Sequence, residues 1–83
     1  MNYMNKIKCQ RLTDIESGMS VVIESFEGGG AFKEKLISMG ILPGKAIEIL
    51  SSRKNGPVVL KVNDTRLALG HGMAYKIYVK NKN

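Results

Sequence analysis

Pro57-Val58-Val59-Leu60-Lys61-Val62-Asn63-Asp64-Thr65-Arg66-Leu67-Ala68-Leu69 is the stretch on which the fold turns. Val58, Leu60 and Val62 recur at every second position, as do Leu67 and Leu69, which is the repeat of a strand with one face buried. Asn63-Asp64-Thr65 lies between the two runs, and Asn and Asp tolerate the left-handed backbone of a tight turn. A hairpin is predicted, from Pro57–Val62 to Arg66–Leu69. Upstream, Arg53-Lys54-Asn55-Gly56 carries the stronger Asn-Gly turn signal and joins the hairpin to a strand over Ala46–Ser52. Three strands in a meander follow.

The same period continues outward in both directions, through Val21 and Ile23 and through Tyr75, Ile77 and Val79. In the last segment Lys76, Tyr78 and Lys80 fill the alternate positions, so Tyr75 is expected to face the interior. One segment breaks the rhythm. Within Ala31–Met39 the apolar residues Phe32, Leu36 and Met39 are four and three apart, which is helical spacing, with Lys33, Glu34 and Lys35 on the wet side. Gly40 stands where a helix end calls for a left-handed residue. Pro43 and Gly44 then suit the two central positions of a type II turn. Ile41 and Leu42 are adjacent aliphatics in an extended segment, so only one of them can point inward. The fold class is mainly β, a small barrel of about five or six strands with one short helix, since so short a chain cannot build a two-sided sandwich.

With 83 residues the chain supports one small core. Its 43% hydrophobic and 24% charged residues are ordinary globular usage. No apolar run approaches the length needed to span a bilayer, and Met1 to Gln10 has no segment resembling a secretory signal. The single cysteine, Cys9, forms no internal disulfide, which favours a reducing compartment; a cytoplasmic protein is expected. The net charge of +6 could attract nucleic acid, anionic lipid or an acidic protein face. Several of the positives sit near the two ends, at Lys6, Lys8, Arg11, Lys76, Lys80 and Lys82, where they read as solubilising tails; the positives as a whole are dispersed, and few aromatics interleave them. A basic nucleic-acid-binding barrel is therefore a rival reading and not the leading one.

Catalytic machinery is not evident. His71 is the only histidine, in the glycine-flanked Leu69-Gly70-His71-Gly72-Met73, where an exposed turn residue is expected. Cys9, Asp14, Glu16 and His71 are too few and too scattered for a closed metal site, so no catalytic, metal or cofactor residue is assigned. Gly28-Gly29-Gly30 precedes the helix without the Lys-Ser/Thr of a phosphate loop and reads as slack between strand and helix.

Lys35-Leu36-Ile37-Ser38-Met39-Gly40-Ile41-Leu42-Pro43-Gly44 resembles the signature of the ferrous iron transport protein A (FeoA) family. The similarity continues from Arg11–Gly18 through Gly56-Pro57 and Leu67–Gly70 to Ala74–Val79, which makes 11–80 the domain, 1–10 an N-terminal tail or first strand and 81–83 a C-terminal tail. The resemblance implies an SH3-like barrel, non-enzymatic and without a cofactor. It also implies a cytoplasmic accessory of the FeoB-type ferrous iron transporter that docks on the G-protein domain or cytoplasmic face. Leu36, Met39, Gly40, Ile41, Leu42, Pro43 and Gly44 are the matching positions for a partner-binding ridge, with plain core and turn roles as the alternative. A transition-metal-binding or regulatory domain is a further reading from the same context. Free sheet edges also leave room for a homodimer.

Overall fold

The computed structural model describes residues 9–82; Met1–Lys8 and Asn83 lie outside the described residues, and with them Lys6, Lys8 and most of the expected N-terminal tail. Six strands form one antiparallel sheet: β1 (Gln10–Arg11), β2 (Ser20–Phe26), β3 (Ala46–Ser52), β4 (Val58–Val62), β5 (Thr65–Leu69) and β6 (Ile77–Asn81). A 3-10 turn, Leu12–Asp14, follows β1. Helix α1 (Gly30–Ser38) joins β2 to β3, and a one-turn helix α2 (His71–Tyr75) joins β5 to β6.

The spatial order is β1-β6-β2-β3-β4-β5. The predicted meander is β3, β4 and β5, whereas the C-terminal strand β6 inserts between β1 and β2. Register shifts between Ile23 and Ser25 on β2 and between Ile49 and Ser51 on β3 each place an extra residue in one strand. Such bulges bend a strand and increase its twist, so the sheet coils around a single core. β1 and β5 are not paired, so the barrel is open at that seam.

The inward positions are those the period-two pattern picked out: Val21, Ile23, Ile47, Ile49, Val58, Leu60, Val62, Leu69, Ile77 and Val79 are all buried. Leu12, Ile15, Leu36, Ile41 and Ala74 close the core from the turns and helices, with Phe32, Met39, Leu67 and Met73 packed at its margin. Burial of each large aliphatic contributes roughly 1.5–3 kcal/mol. The hairpin turn is tighter than expected. Asn63 and Asp64, with φ of 53° and 62°, form it alone, and Thr65 already belongs to β5.

The segment before β6 departs from the expected strand. Gly70 starts a helical turn, in which the Met73 and Ala74 N–H groups donate to its carbonyl at 3.1 and 3.0 Å. Helical geometry rotates successive side chains by about 100° instead of 180°. Ala74 is thereby buried and Tyr75 left exposed, the reverse of the strand phase. His71 is correspondingly the first residue of a helix and half-buried, not an exposed turn residue.

Candidate functional site: the helix–turn ridge and the arginine–tyrosine cluster

The C-terminus of α1 determines what the ridge residues do. Gly40 has φ +88°, its N–H donates to the Ile37 carbonyl at 2.9 Å, and the Ile41 N–H donates to the Leu36 carbonyl at 3.0 Å. These two bonds form a Schellman motif, which pairs carbonyls the helix would otherwise leave open and brings the residue after the glycine against the one five positions earlier. Ile41 and Leu36 are both fully buried in the core as a result. Leu42 then faces outward.

The type II turn comes next: the Lys45 N–H donates to the Leu42 carbonyl at 3.0 Å, and Gly44 has φ +89°. Reciprocal bonds tie the turn to β2, Gly44 N–H to the Ile23 carbonyl at 2.8 Å and Ile23 N–H to the Lys45 carbonyl at 2.9 Å. Of the seven ridge positions, Leu36 and Ile41 are core and Met39 and Gly40 are half-buried, while Leu42, Pro43 and Gly44 are exposed. A Cβ on Gly40 would lie 3.5 Å from Asn63 Nδ2, so the ridge runs beside the β4–β5 turn. Ile37, 47% exposed in the last turn of α1, is a surface aliphatic that the sequence reading did not single out. Its signal was legible, because it lies off the Phe32–Leu36–Met39 stripe.

A second cluster joins residues far apart in the chain. The Arg11 guanidinium carbon sits 3.9 Å from the centre of the Tyr75 ring and 4.8 Å from that of Tyr78. Arg11 Nη1 donates to the Tyr75 carbonyl at 2.7 Å and to Glu27 Oε1 at 3.2 Å, while the Tyr78 hydroxyl donates to Glu27 Oε2 at 3.3 Å. Desolvation of Arg11 works to lower its pKa, but the Glu27 hydrogen bond and the neighbouring phenols outweigh it, and the guanidinium is held more firmly protonated. Tyr78 is raised by desolvation, against the lowering effect of Arg11 and with the added push of the Glu27 charge. The His71 ring lies 6.2 Å from Tyr75 at an interplanar angle of 29°. Its Nδ1 is buried without a hydrogen-bond partner.

Tyr75 and Tyr78 are thus taken up by Arg11 of the same chain, not arrayed as a stacking platform. Among the described residues no three His, Cys, Asp or Glu side chains come together as metal ligands. Cys9 is exposed and free. No helix among the described residues is long and apolar enough to cross a membrane.

Coiled six-stranded sheet, a short helix anchored in the core through Leu36, and an exposed helix–turn ridge together define the chain as a small SH3-like β domain. The FeoA domain family matches residues 10–81, and the chain belongs to that family. It is 30% identical over 66 residues to a putative Fe(2+) transport protein A of Methanocaldococcus jannaschii, covering 80% of this chain and 79% of the relative. It is 31% identical over 71 residues to an Fe(2+) transport protein A/Fe(2+) transporter FeoB fusion protein of Porphyromonas gingivalis, where the match covers 84% of this chain and 8% of the fusion. Among solved structures, an iron uptake regulatory protein described as FeoA superposes with a TM-score of 0.82 at 32% identity, over 88% of this chain and 97% of the other. Iron(II) transport protein A from Clostridium thermocellum gives 0.79 at 30% identity, over 88% and 46%. A manganese-dependent transcriptional repressor gives 0.82 at 17% identity, over 90% and 42%, and shares the fold alone.

Proposed function

We propose that this chain is a cytoplasmic, non-enzymatic accessory of ferrous iron uptake that docks on a FeoB-type transporter and modulates its assembly or nucleotide-coupled transport. The observation that carries the reading is the Porphyromonas gingivalis relative, in which a counterpart of this domain and the transporter share one polypeptide. Fusion gives two domains a high effective concentration, an arrangement that suits partners which otherwise meet by docking. The docking surface in this reading is the outer part of the ridge: Leu42, Pro43 and Gly44 with Ile37 beside them, carried on the rigid Leu36–Ile41 anchor. Leu42 and Ile37 are aliphatic, exposed and held by a defined cap and turn, so little ordering entropy is lost when a partner covers them.

The test is a calorimetric titration of the protein against the detergent-solubilised transporter of the same organism, with and without guanine nucleotide. Saturable binding that Leu42→Glu abolishes supports the reading. Binding to neither nucleotide state overturns it and moves attention to nucleic acid and transition metals as ligands.

A further inference from the structure

Strand β5 forms one margin of the sheet, paired among the described residues with β4 and with no other strand. Its two-residue turn fixes which of its backbone groups are already used. Val62 and Thr65 flank that turn, so they exchange N–H and C=O with each other, and bonded pairs recur at Leu60 with Leu67 and at Val58 with Leu69. Arg66 and Ala68 therefore aim both their N–H and C=O groups away from the sheet. No turn, loop or cap among the described residues bonds them, and both residues are exposed. Four backbone groups, on two residues, are open along an exposed edge.

Charge indicates what fits there. On the outward face Glu48 stands opposite Lys61, and Lys61 opposite Arg66. The signs across β3, β4 and β5 run negative, positive, positive. Lys61 and Arg66 oppose each other at a non-bonded position, where side chains of neighbouring strands approach most closely and like charges destabilise the pair. Neither forms a salt bridge among the described residues. A carboxylate on one further strand, opposite Arg66, would give the outer cation of that like-charged pair a counter-charge of its own.

We propose that the free edge of β5 takes up an extended acidic segment of a partner protein as a seventh, antiparallel strand, with a glutamate or aspartate facing Arg66. Antiparallel addition matches every other pairing in the sheet, and it lets the residue opposite Arg66 exchange both backbone bonds with it. A second copy of this chain is the poorer occupant. Two-fold pairing that satisfied the edge would set Arg66 against Ala68 in both halves and gather two arginines and two lysines on one face, between molecules that each carry +6. The inference concerns a surface distinct from the ridge and holds whichever protein supplies the segment.

The probe is the capped heptapeptide Thr-Glu-Val-Glu-Val-Glu-Thr, titrated into the 15N-labelled full chain at low salt. The expected result is saturable shifts centred on the Arg66 and Ala68 amides, with slowed hydrogen exchange at both. The same peptide N-methylated at its glutamates should not bind. Arg66→Glu should bind the parent peptide roughly tenfold more weakly and prefer the lysine analogue, because the paired charge has been reversed. Equal binding of the N-methylated peptide would mean attraction by charge alone and overturns strand addition. So would shifts confined to other strands, no binding at millimolar peptide, or amides already protected in a concentration-dependent dimer of the peptide-free protein.

Discussion

Replacing Ile41 and Leu42 by alanine, one at a time, separates anchor from contact within a single dipeptide. Ile41 is fully buried behind the Schellman motif, whereas Leu42 is 40% exposed. Ile41→Ala leaves a cavity in a well-packed core and should cost about 2–5 kcal/mol. A domain of 83 residues has roughly 4–12 kcal/mol in total. At about 4–8 °C per kcal/mol, the melting temperature should fall by at least about 8 °C. Leu42→Ala should cost less, about 0.9–1.8 kcal/mol, since folding already covers roughly 60% of that side chain. It should also weaken binding: if a partner covers the exposed 40% of a side chain whose full burial contributes about 1.5–3 kcal/mol, the loss is about 0.6–1.2 kcal/mol, or roughly three- to eightfold in affinity. Urea unfolding followed by far-ultraviolet circular dichroism reads the first quantity, and titration against the solubilised transporter reads the second. Equal stability losses from the two variants would refute the account of the helix end. A stable Leu42→Ala protein with unchanged transporter affinity would remove Leu42 from the docking surface.

Two glycines of the same helical unit should respond with opposite signs. Gly40→Ala forces a side chain into φ +88°, and although its Cβ meets only Asn63 Nδ2 at 3.5 Å, the backbone cost of about 1–2 kcal/mol remains; Gly30→Ala, inside the helix with nothing within 4 Å, should stabilise by about 0.4–1 kcal/mol. Thermal melts of the two variants check this, and a neutral Gly40→Ala would contradict the left-handed cap. Tyr78 should titrate above the ordinary 10.0 of a phenol, chiefly through desolvation. The folded chain holds that proton more tightly than the unfolded chain, so its contribution to stability is whole below pH 10 and is lost as pH rises through the raised folded value. Absorbance titration and denaturation from pH 9 to 12 should show Tyr78→Phe losing less stability with pH than the parent; parallel losses would refute the assignment.

Local chemistry made a large part of this legible. The alternation from Val58 to Leu69 fixed two strands and their inward faces, and Asn63-Asp64 announced a turn of positive φ, because a strand's period and a tight turn's backbone depend on residues only a few positions apart. The helix stripe, Gly40 and Pro43-Gly44 were readable for the same reason. Misreading of Tyr75 shows where such reasoning fails. One helical turn begun at Gly70 changes the angular step between side chains, and a window of alternating residues does not reveal it.

What the sequence by itself determined is the strands of the meander with their core faces, helix α1 with its cap and turn, and the single choice that one of Ile41 and Leu42 must face out; the helical turn His71–Tyr75 lay beyond it. Only the tertiary structure decided which one, by threading Ile41 under the cap onto Leu36, and only it placed β6 between β1 and β2. That placement brings Arg11 to Tyr75, 64 positions away, and leaves β5 as an open edge beside Lys61 and Arg66, which form no salt bridge among the described residues. Contacts across such separations are selected by burial of the whole core at once, a global quantity that no short window of residues contains.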